Sequence, residues 1–168
     1  ASKVVHKSDV GGVHLDLKSP MEVKGAYYEL TERAQAITED YRLFVQPFER
    51  GGQEVIIGFS TERTAGKLLV FGLGGVYVEV LKDVAVRLAP VTDTEARRMM
   101  EAVKSFPLLR GYRGSPPGDI DALTEVLLRV SQLAVDFPVI DTLEMNPVLV
   151  RPAGEGVSVL DVRAKLAS

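Results

Sequence analysis

Three oxygen-bearing side chains near the end of the chain have the spacing of a cation site. Glu144 and Asn146 are two residues apart in an apolar run, so a β-strand places both side chains on one face. A turn-rich stretch follows and predicts a hairpin. If Val150 pairs with Val157, the antiparallel register puts Asp161 opposite Asn146. Two carboxylates and an amide oxygen then share one patch, and hard divalent cations with bound phosphates prefer such ligands.

The alternative for these three side chains is the solvent-facing side of an ordinary hairpin. Pro147 weighs against this alternative, because it restricts the conformation of Asn146 and removes a backbone donor from the ladder. Functional sites often tolerate such costs. The pattern alone leaves both interpretations open.

Glycine-rich segments offer a second kind of phosphate contact. Gly11 and Gly12 follow Lys7, so backbone N–H groups near a lysine could cradle a phosphate. An ordinary turn into a strand is the favoured alternative, because short glycine loops are weak signals. Segment 72–75 has three glycines in four positions and the same ambiguity.

Charged residues in a β-prone stretch supply a candidate counter-charge for phosphate. Glu79, Asp83 and Arg87 are spaced by four, so a regular strand places them on one face. A solvent-exposed face is the ordinary explanation. The functional one is that Arg87 neutralises phosphate beside acidic metal ligands. His6 is by default a surface histidine, and as a nucleophile it needs a phosphate donor within reach.

The elements that must position these groups follow an α+β pattern. The predicted strands are 10–17, 42–48, 54–59, 67–71 and 76–88, followed by the closing hairpin. The predicted helices are 21–37, a segment capped by Thr92 or Asp93, and 120–137. Each of the last two has an apolar stripe on one face, formed by Ala96, Met99, Met100 and Val103 and by Ile120, Leu123, Leu127, Val130, Ala134 and Phe137. A hairpin around Gly51 and Gly52 is expected to join the second and third strands. This order indicates an α+β fold with a largely antiparallel sheet.

Composition excludes several classes of function. The 168-residue chain has a net charge of −3 and no Lys/Arg block, which gives no indication of a nucleic-acid partner. It contains no cysteine, so disulfides, thiolate catalysis and cysteine-ligated metals are excluded, and two histidines do not suffice for a histidine-rich metal site. No apolar run approaches membrane-spanning length and no signal peptide is recognisable, so we expect a soluble, cytoplasmic protein.

Seven motifs follow one another along nearly the whole chain. They are 6–13, 45–48, 54–58, 71–79, 83–90, 108–114 and 144–147. Their order and spacing resemble the ATP-grasp domain of ADP-forming (NDP-forming) acyl-CoA synthetases, which are relatives of succinyl-CoA synthetase. The resemblance implies one ATP-grasp domain over residues 1–168, with a mostly antiparallel sheet and flanking helices.

The family resemblance also implies a reaction. The family interconverts acyl-CoA, ADP and phosphate with free acid, CoA and ATP, through an acyl phosphate and a phosphohistidine on a mobile segment. The ATP-grasp domain holds ATP or ADP with Mg²⁺, and such chemistry mainly needs positioning and charge neutralisation. CoA is expected on a domain that is not in this chain. The expected partner is therefore the CoA-binding ligase domain or subunit of the same synthetase, and the oligomeric state stays open.

The resemblance further implies roles for individual residues. Asn146 and Asp161 correspond to the magnesium ligands, with Glu144 beside them. The residues that correspond to nucleotide contacts are Lys7, Gly11, Gly12, Val45, Gln46, Pro47, Phe48 and Glu54. Within this set, 45–48 corresponds to the adenine contact and the glycines lie over the phosphates. Arg87 would counter the phosphate charge, and His6 corresponds to a second phosphate carrier found in some members.

Three departures from the family pattern leave alternatives. ATP-grasp domains normally begin with strands that carry a nucleotide-binding lysine, so we expect an N-terminally truncated domain that is inactive alone. Segment 61–67 replaces an Asp-Pro-x-Phe-Gly-Pro run, and Glu144 stands where Asp is frequent. One alternative is a non-catalytic nucleotide-sensing or regulatory module of a GNAT acetyltransferase fusion protein. Another is an interaction domain whose acidic patch is only solvated surface.

Overall fold

The chain divides into two compact units, residues 1–50 and 51–168. A computed structural model describes residues 11–74 and 82–167 of the chain. Within residues 11–50, the first unit has one helix, α1 (Pro20–Gln35), where the sequence predicts it. The Ser19 hydroxyl caps this helix by accepting a hydrogen bond from the Glu22 amide at 3.2 Å. Pro20 stands in the first turn, where its missing N–H costs nothing.

The two strands predicted in the first unit are wrong over the residues that the structure describes. Residues 12–18 and 41–50 have no regular secondary structure, so the predicted hairpin around Gly51 and Gly52 does not form. The apolar side chains of Leu15, Phe44 and Val45 are exposed rather than buried on one face. Alternation produces a strand only where a neighbouring strand satisfies the backbone and a core covers one face.

The second unit is built on an antiparallel sheet with flanking helices, as predicted. Its strands are β1 (Gln53–Glu62), β2 (Gly66–Leu73), β3 (Val84–Leu88), β4 (Ile140–Val150), β5 (Val157–Val159) and β6 (Val162–Leu166). They lie in the order β3-β2-β1-β4-β5, and β6 also pairs with β4. The helices are α2 (Asp93–Glu101), α3 (Phe106–Leu109) and α4 (Ile120–Asp136).

The helices cover one face of this sheet, called the inner face. The buried strand side chains of this face include Ile57, Phe59, Leu69 and Phe71. The predicted helical stripes pack against them and are buried at Ala96, Met99, Met100, Val103, Leu123, Leu127, Val130 and Ala134. Each large side chain buried in this way contributes about 1.5–3 kcal/mol. The one predicted stripe residue that stays exposed is Phe137, because α4 ends just before it.

The start of α2 is capped by Thr92, one of the two residues that the sequence predicts for this role. Thr92 forms a capping box with Glu95, in which each side chain accepts a hydrogen bond from the other residue's backbone N–H.

Among residues 11–74 and 82–167, no helix is both long and apolar enough to cross a bilayer.

Asp83 is an internal anchor rather than a member of a solvent-facing strand. β3 begins only at Val84, and Glu79 lies outside the described residues. The Asp83 carboxylate accepts hydrogen bonds from the Lys104 and Ser105 amides, each at 2.8 Å, and from the Ser105 hydroxyl. Burial raises the pKa of Asp83, but these hydrogen bonds outweigh it and hold the pKa below its ordinary value. The predicted shared face with Arg87 is therefore wrong for Asp83.

Asp119 ties the start of α4 to the turn between β4 and β5. Its buried carboxylate accepts hydrogen bonds from the Ala122 amide at 3.0 Å and from the Gly154 and Gly156 amides at 2.9 Å each. The hydrogen bond from Ala122, followed by that from Gly156, lowers the pKa of Asp119. The ionised carboxylate thus holds the hairpin turn against the helix.

We expect Asp119→Asn to lower the free energy of unfolding at neutral pH and to make this free energy depend less on pH in the acid range. The side-chain amide of this variant has only one acceptor oxygen, and its NH2 group would face a backbone N–H donor. The free energy of unfolding at pH 7 should therefore fall by about 1–3 kcal/mol. The pKa of Asp119 in the folded protein lies below its ordinary value. Its contribution is therefore complete above that value and is lost as the pH falls through the folded pKa.

Urea unfolding between pH 2.5 and 7 measures this contribution. The matched control is Asp121→Asn on the same helix turn, because the side chain of Asp121 is 86% exposed and pairs with Arg97. The control should change the free energy of unfolding by less than about 0.5 kcal/mol. Equal stability of the two variants at pH 7 would contradict the anchoring role.

Candidate functional site

The closing hairpin has the predicted register. Val150 pairs with Val157, and the pairing continues without a shift from β5 to β6 along this side of β4. The Asn146 amide donates to the Asp161 carbonyl at 3.1 Å, which places these two residues directly opposite one another. The backbone arrangement inferred from the alternating pattern is confirmed.

The side chains of this hairpin divide between two faces as predicted. Leu143 and Met145 are buried on the inner face, whereas Glu144 and Asn146 are exposed on the opposite, outer face. The Asn146 Nδ2 donates to Glu144 Oε1 at 3.2 Å. Asp161 is half-buried beside them. The amide nitrogen of Asn146 therefore faces Glu144, and the amide oxygen is the atom left to face a cation.

A β-bulge lies at the centre of this group. On the β1 side of β4, Val55 pairs with Val148 and Ile57 pairs with Met145. Two β4 residues, Asn146 and Pro147, thus stand opposite Ile56 alone. Pro147 suits the bulge because it has no N–H to donate to the ladder. Bulges re-aim side chains, and this one includes Asn146, which is a member of the patch.

Gly58 brings β1 close to β4 next to Glu144. The two residues pair across the strands. A Cβ atom on Gly58 would overlap the Leu143 carbonyl oxygen and would lie 3.2 Å from the Glu144 Cα. Only a residue without a side chain allows this approach, so Gly58 sets the position of the Glu144 backbone.

The structure adds a cation that the sequence interpretation missed. Arg163 stands opposite Glu144 in the β4–β6 register, and its Nε lies 4.0 Å from the Asp161 Oδ2. The same two-residue alternation that joins Asp161 to the patch would have included Arg163. A search for oxygen ligands alone does not include a basic side chain.

The donor set suits a hard divalent cation. Two carboxylates and an amide oxygen lie on one outward face, and all three are hard oxygen ligands of the kind that magnesium binds. Within residues 11–74 and 82–167, no three His, Asp or Glu side chains are close enough to share a metal ion. The site would therefore depend on the amide of Asn146 as well as on the carboxylates of Glu144 and Asp161.

Arg87 lies away from this patch. It is on β3, three strand spacings from β4, which is about 14 Å across a sheet. It pairs with the buried Leu69 and so belongs to the inner face, and its Nη1 donates to the Val86 carbonyl at 2.7 Å. The structure does not bring Arg87 together with Glu144 and Asp161.

The predicted phosphate loop lies in the first unit. Gly11 has a positive φ of 62°, and its carbonyl accepts a hydrogen bond from Arg33 Nη1 at 2.7 Å. Arg33 also pairs with Glu29 one turn earlier on α1. Gly12 continues the loop without regular structure. His6 and Lys7 lie outside the described residues.

The predicted adenine segment is an extended, irregular stretch of the first unit. Val45, Gln46, Pro47 and Phe48 are all exposed. Glu54 is also exposed, but it lies on β1 of the second unit, where its backbone carbonyl accepts a hydrogen bond from the Gly74 amide at 2.7 Å. Their roles in nucleotide binding remain predictions.

Comparison with known proteins gives a consistent family match. A family model described as an ATP-grasp domain matches residues 1–166. The chain is 41% identical over 165 residues to the β subunit of acetate–CoA ligase (ADP-forming) II from Pyrococcus furiosus. This match covers 96% of this chain and 70% of that subunit. It is 44% identical over 167 residues to 4-hydroxybutyrate–CoA ligase (ADP-forming) from Nitrosopumilus maritimus, where the match covers 98% of this chain but only 24% of the ligase.

A solved structure has the same fold. It is the dinucleotide-forming acetyl-coenzyme A synthetase 1 of Ca. Korarchaeum cryptofilum, in complex with coenzyme A and Mg-AMPPCP, with its phosphohistidine segment pointing towards the nucleotide-binding site. The TM-score is 0.86 at 40% identity, and the match covers 99% of this chain and 73% of that chain. The chain thus spans about a quarter of the long ligase and about 70% of the separate subunit.

Proposed function

The chain belongs to the ATP-grasp domain family, and we propose that it is the nucleotide-binding part of an ADP-forming acyl-CoA ligase. In this role it holds ADP or ATP with Mg²⁺ and takes part in phosphoryl transfer. The relatives described above are ADP-forming acyl-CoA ligases, and one solved relative holds Mg-AMPPCP. The observation that carries the proposal is the convergence of Glu144, Asn146 and Asp161 on one outward face of a bulged hairpin.

These residues would hold the magnesium ion of the nucleotide. Bound magnesium neutralises charge on phosphate oxygens and so favours attack on phosphorus. The hairpin contributes rigidity, because the backbones of Asn146 and Asp161 are hydrogen-bonded to each other at 3.1 Å. Glu144 contributes orientation, because it accepts a hydrogen bond from the Asn146 amide nitrogen. The ligands are therefore held in place before the nucleotide arrives.

Other roles in the proposal rest on the family resemblance. Segment 45–48 would contact adenine, and Glu54 would be a nearby polar contact. The N–H groups of Gly11 and Gly12 would lie over the phosphates together with Lys7. His6 would act as a second phosphate carrier. In that step the phosphorus–nitrogen bond of the phosphohistidine breaks, a terminal oxygen of ADP forms the new bond to phosphorus, and the imidazole recovers the electron pair.

The complete reaction needs more than the residues of this chain. The match covers 24% of the long ligase relative, so the acyl-CoA chemistry is proposed for the whole protein rather than for this domain. The CoA site and the first phosphohistidine would belong to a ligase domain or subunit that acts as the partner. In the direction of ATP synthesis, acyl-CoA and phosphate would give an acyl phosphate and free CoA there. The acyl phosphate would pass its phosphoryl group to histidine and release the free acid, and the phosphohistidine would then pass the group to ADP here.

Calorimetric titration of the intact native protein tests this proposal. We expect ADP to bind in the presence of Mg²⁺, and EDTA to weaken that binding by at least about 10-fold, because the metal joins the carboxylates to the phosphates. AMP, which lacks the terminal phosphate, should depend little on Mg²⁺. An absence of binding with either nucleotide would contradict the proposal and favour a simple interaction domain.

A second measurement separates a ligase from a regulatory module. The intact protein, supplied with a free acid and CoA, should convert ATP to ADP and form acyl-CoA. Binding of MgADP without any such turnover across a panel of short acids would favour the non-catalytic alternative.

A further inference from the structure

We propose that Arg163 is the side chain that contacts the terminal phosphate of the nucleotide at this site. This inference rests on the proposed function and adds a residue to it. The family resemblance suggested Arg87 for that role, but the structure places Arg87 on the inner face and across the sheet. Arg163 lies on the outer face within the patch itself.

The position of Arg163 follows from the strand register. Arg163 pairs directly with Glu144, so their Cβ atoms are about 5 Å apart. Asp161 immediately precedes β6, its carbonyl accepts a hydrogen bond from the Asn146 amide, and its Oδ2 lies 4.0 Å from the Arg163 Nε, so the two side chains are neighbours. A long, flexible side chain at this point reaches the space above both carboxylates. A phosphate bound to a metal at Asp161 would occupy that space.

The contact between Arg163 and Asp161 is loose enough to be exchanged. The distance of 4.0 Å between Nε and Oδ2 is longer than the 2.7–2.9 Å of a charge-assisted hydrogen bond. The Arg163 side chain is 40% exposed. A guanidinium group has five N–H donors in a planar fork that matches phosphate oxygens. Arg163 can therefore turn to a phosphate without giving up a strong hydrogen bond to Asp161.

The negative charge at this patch explains why a positively charged side chain is needed there in addition to the metal ion. Glu144 and Asp161 bring two negative charges to a place where a nucleotide must bring several more. One divalent metal ion leaves an excess of negative charge, and like charges at such short distances repel. Among the described residues that the register places beside these carboxylates on the outer face, Arg163 is the cation. In this role it neutralises phosphate when nucleotide is bound.

Arg163→Gln in the intact native protein tests the inference by calorimetry. We expect the affinity for MgADP to fall about 10-fold to 100-fold, the range for a lost hydrogen bond between charged groups. The affinity for AMP should change less than about 3-fold, because AMP lacks the terminal phosphate. Arg163→Lys should recover part of the loss, since it restores the charge without the planar fork.

Two control variants make the result specific. Lys165→Gln removes a cation from the next outward position of the same strand, where Lys165 pairs with Asp141 at 3.6 Å. Arg87→Gln removes the residue that the sequence suggested. Both variants should bind MgADP like the wild type, and all variants should keep the wild-type melting temperature within a few degrees.

The outcomes separate the inference from the proposed function. If the wild type binds MgADP and Arg163→Gln binds it equally well, the inference is overturned and the proposed function stands. A loss of affinity in Arg87→Gln instead would return the role to Arg87. An equal loss for AMP and MgADP would show a general structural effect and would also overturn the inference. If the wild type binds neither nucleotide, both the inference and the proposed function fail.

Discussion

Asp161→Ala is expected to weaken the binding of MgADP by at least about 100-fold in the intact native protein. Loss of a residue that only supports a metal ligand typically costs 10-fold to 100-fold in metal affinity, so the loss of a ligand should cost at least as much. Asn146→Ala should have a similar effect, because it removes both the amide oxygen and the hydrogen bond to Glu144. Calorimetry with MgADP measures both variants.

The matched control for this experiment is Asp141→Ala. Asp141 is a second carboxylate on β4, but it pairs with Lys165 near the opposite end of the hairpin. We expect its affinity for MgADP to remain within about 3-fold of the wild type, since exposed ion pairs contribute little. Unchanged affinity in both Asp161→Ala and Asn146→Ala would remove the metal site from the proposal.

Gly58→Ala is expected to lower the free energy of unfolding by about 3 kcal/mol. The new methyl group would overlap the Leu143 carbonyl oxygen, which belongs to the backbone and cannot move without separating β1 from β4. The same displacement should shift Glu144 and weaken the binding of MgADP. Urea unfolding followed by circular dichroism gives the stability, and calorimetry gives the affinity.

Gly25→Ala is the informative control for the glycine experiment. Gly25 lies in the interior of α1, and an added Cβ there meets nothing within 4 Å. Because alanine favours a helix by about 1 kcal/mol over glycine, this variant should be at least as stable as the wild type. If Gly58→Ala were as stable as Gly25→Ala, the close approach of β1 to β4 would not constrain the site.

The closing hairpin is predictable from sequence because one physical rule decides it. Buried Leu143 and Met145 alternate with polar Glu144 and Asn146, and a half-buried strand has only one register that keeps this division. The helical stripes of the second unit are predictable for the same reason. Their apolar periodicity, Thr92 capping box and buried side chains all indicate the same structure.

The failures occur where local pattern and long-range packing disagree. Segment 42–48 is β-prone, but Phe44 and Val45 are exposed and the segment lacks regular structure. The spacing of Asp83 and Arg87 suggested a shared strand face, yet β3 starts after Asp83, whose carboxylate is used inside the fold. Spacing gives a common face only within one regular element, and the ends of that element depend on contacts that are distant in sequence.

The register of the hairpin also determines where an insertion would leave the site intact. Asp119 holds the turn after β4, and the Ala167 amide donates to the Val139 carbonyl at the other end. An extra residue inserted between Val157 and Asp161 would carry Asp161 to the opposite face of the sheet, because side chains alternate with a period of two. Insertions at the exposed turn beyond Gly154 leave that alternation intact. In this hairpin, therefore, homologues should vary in the length of the turn but not in the number of residues that separates it from Asp161.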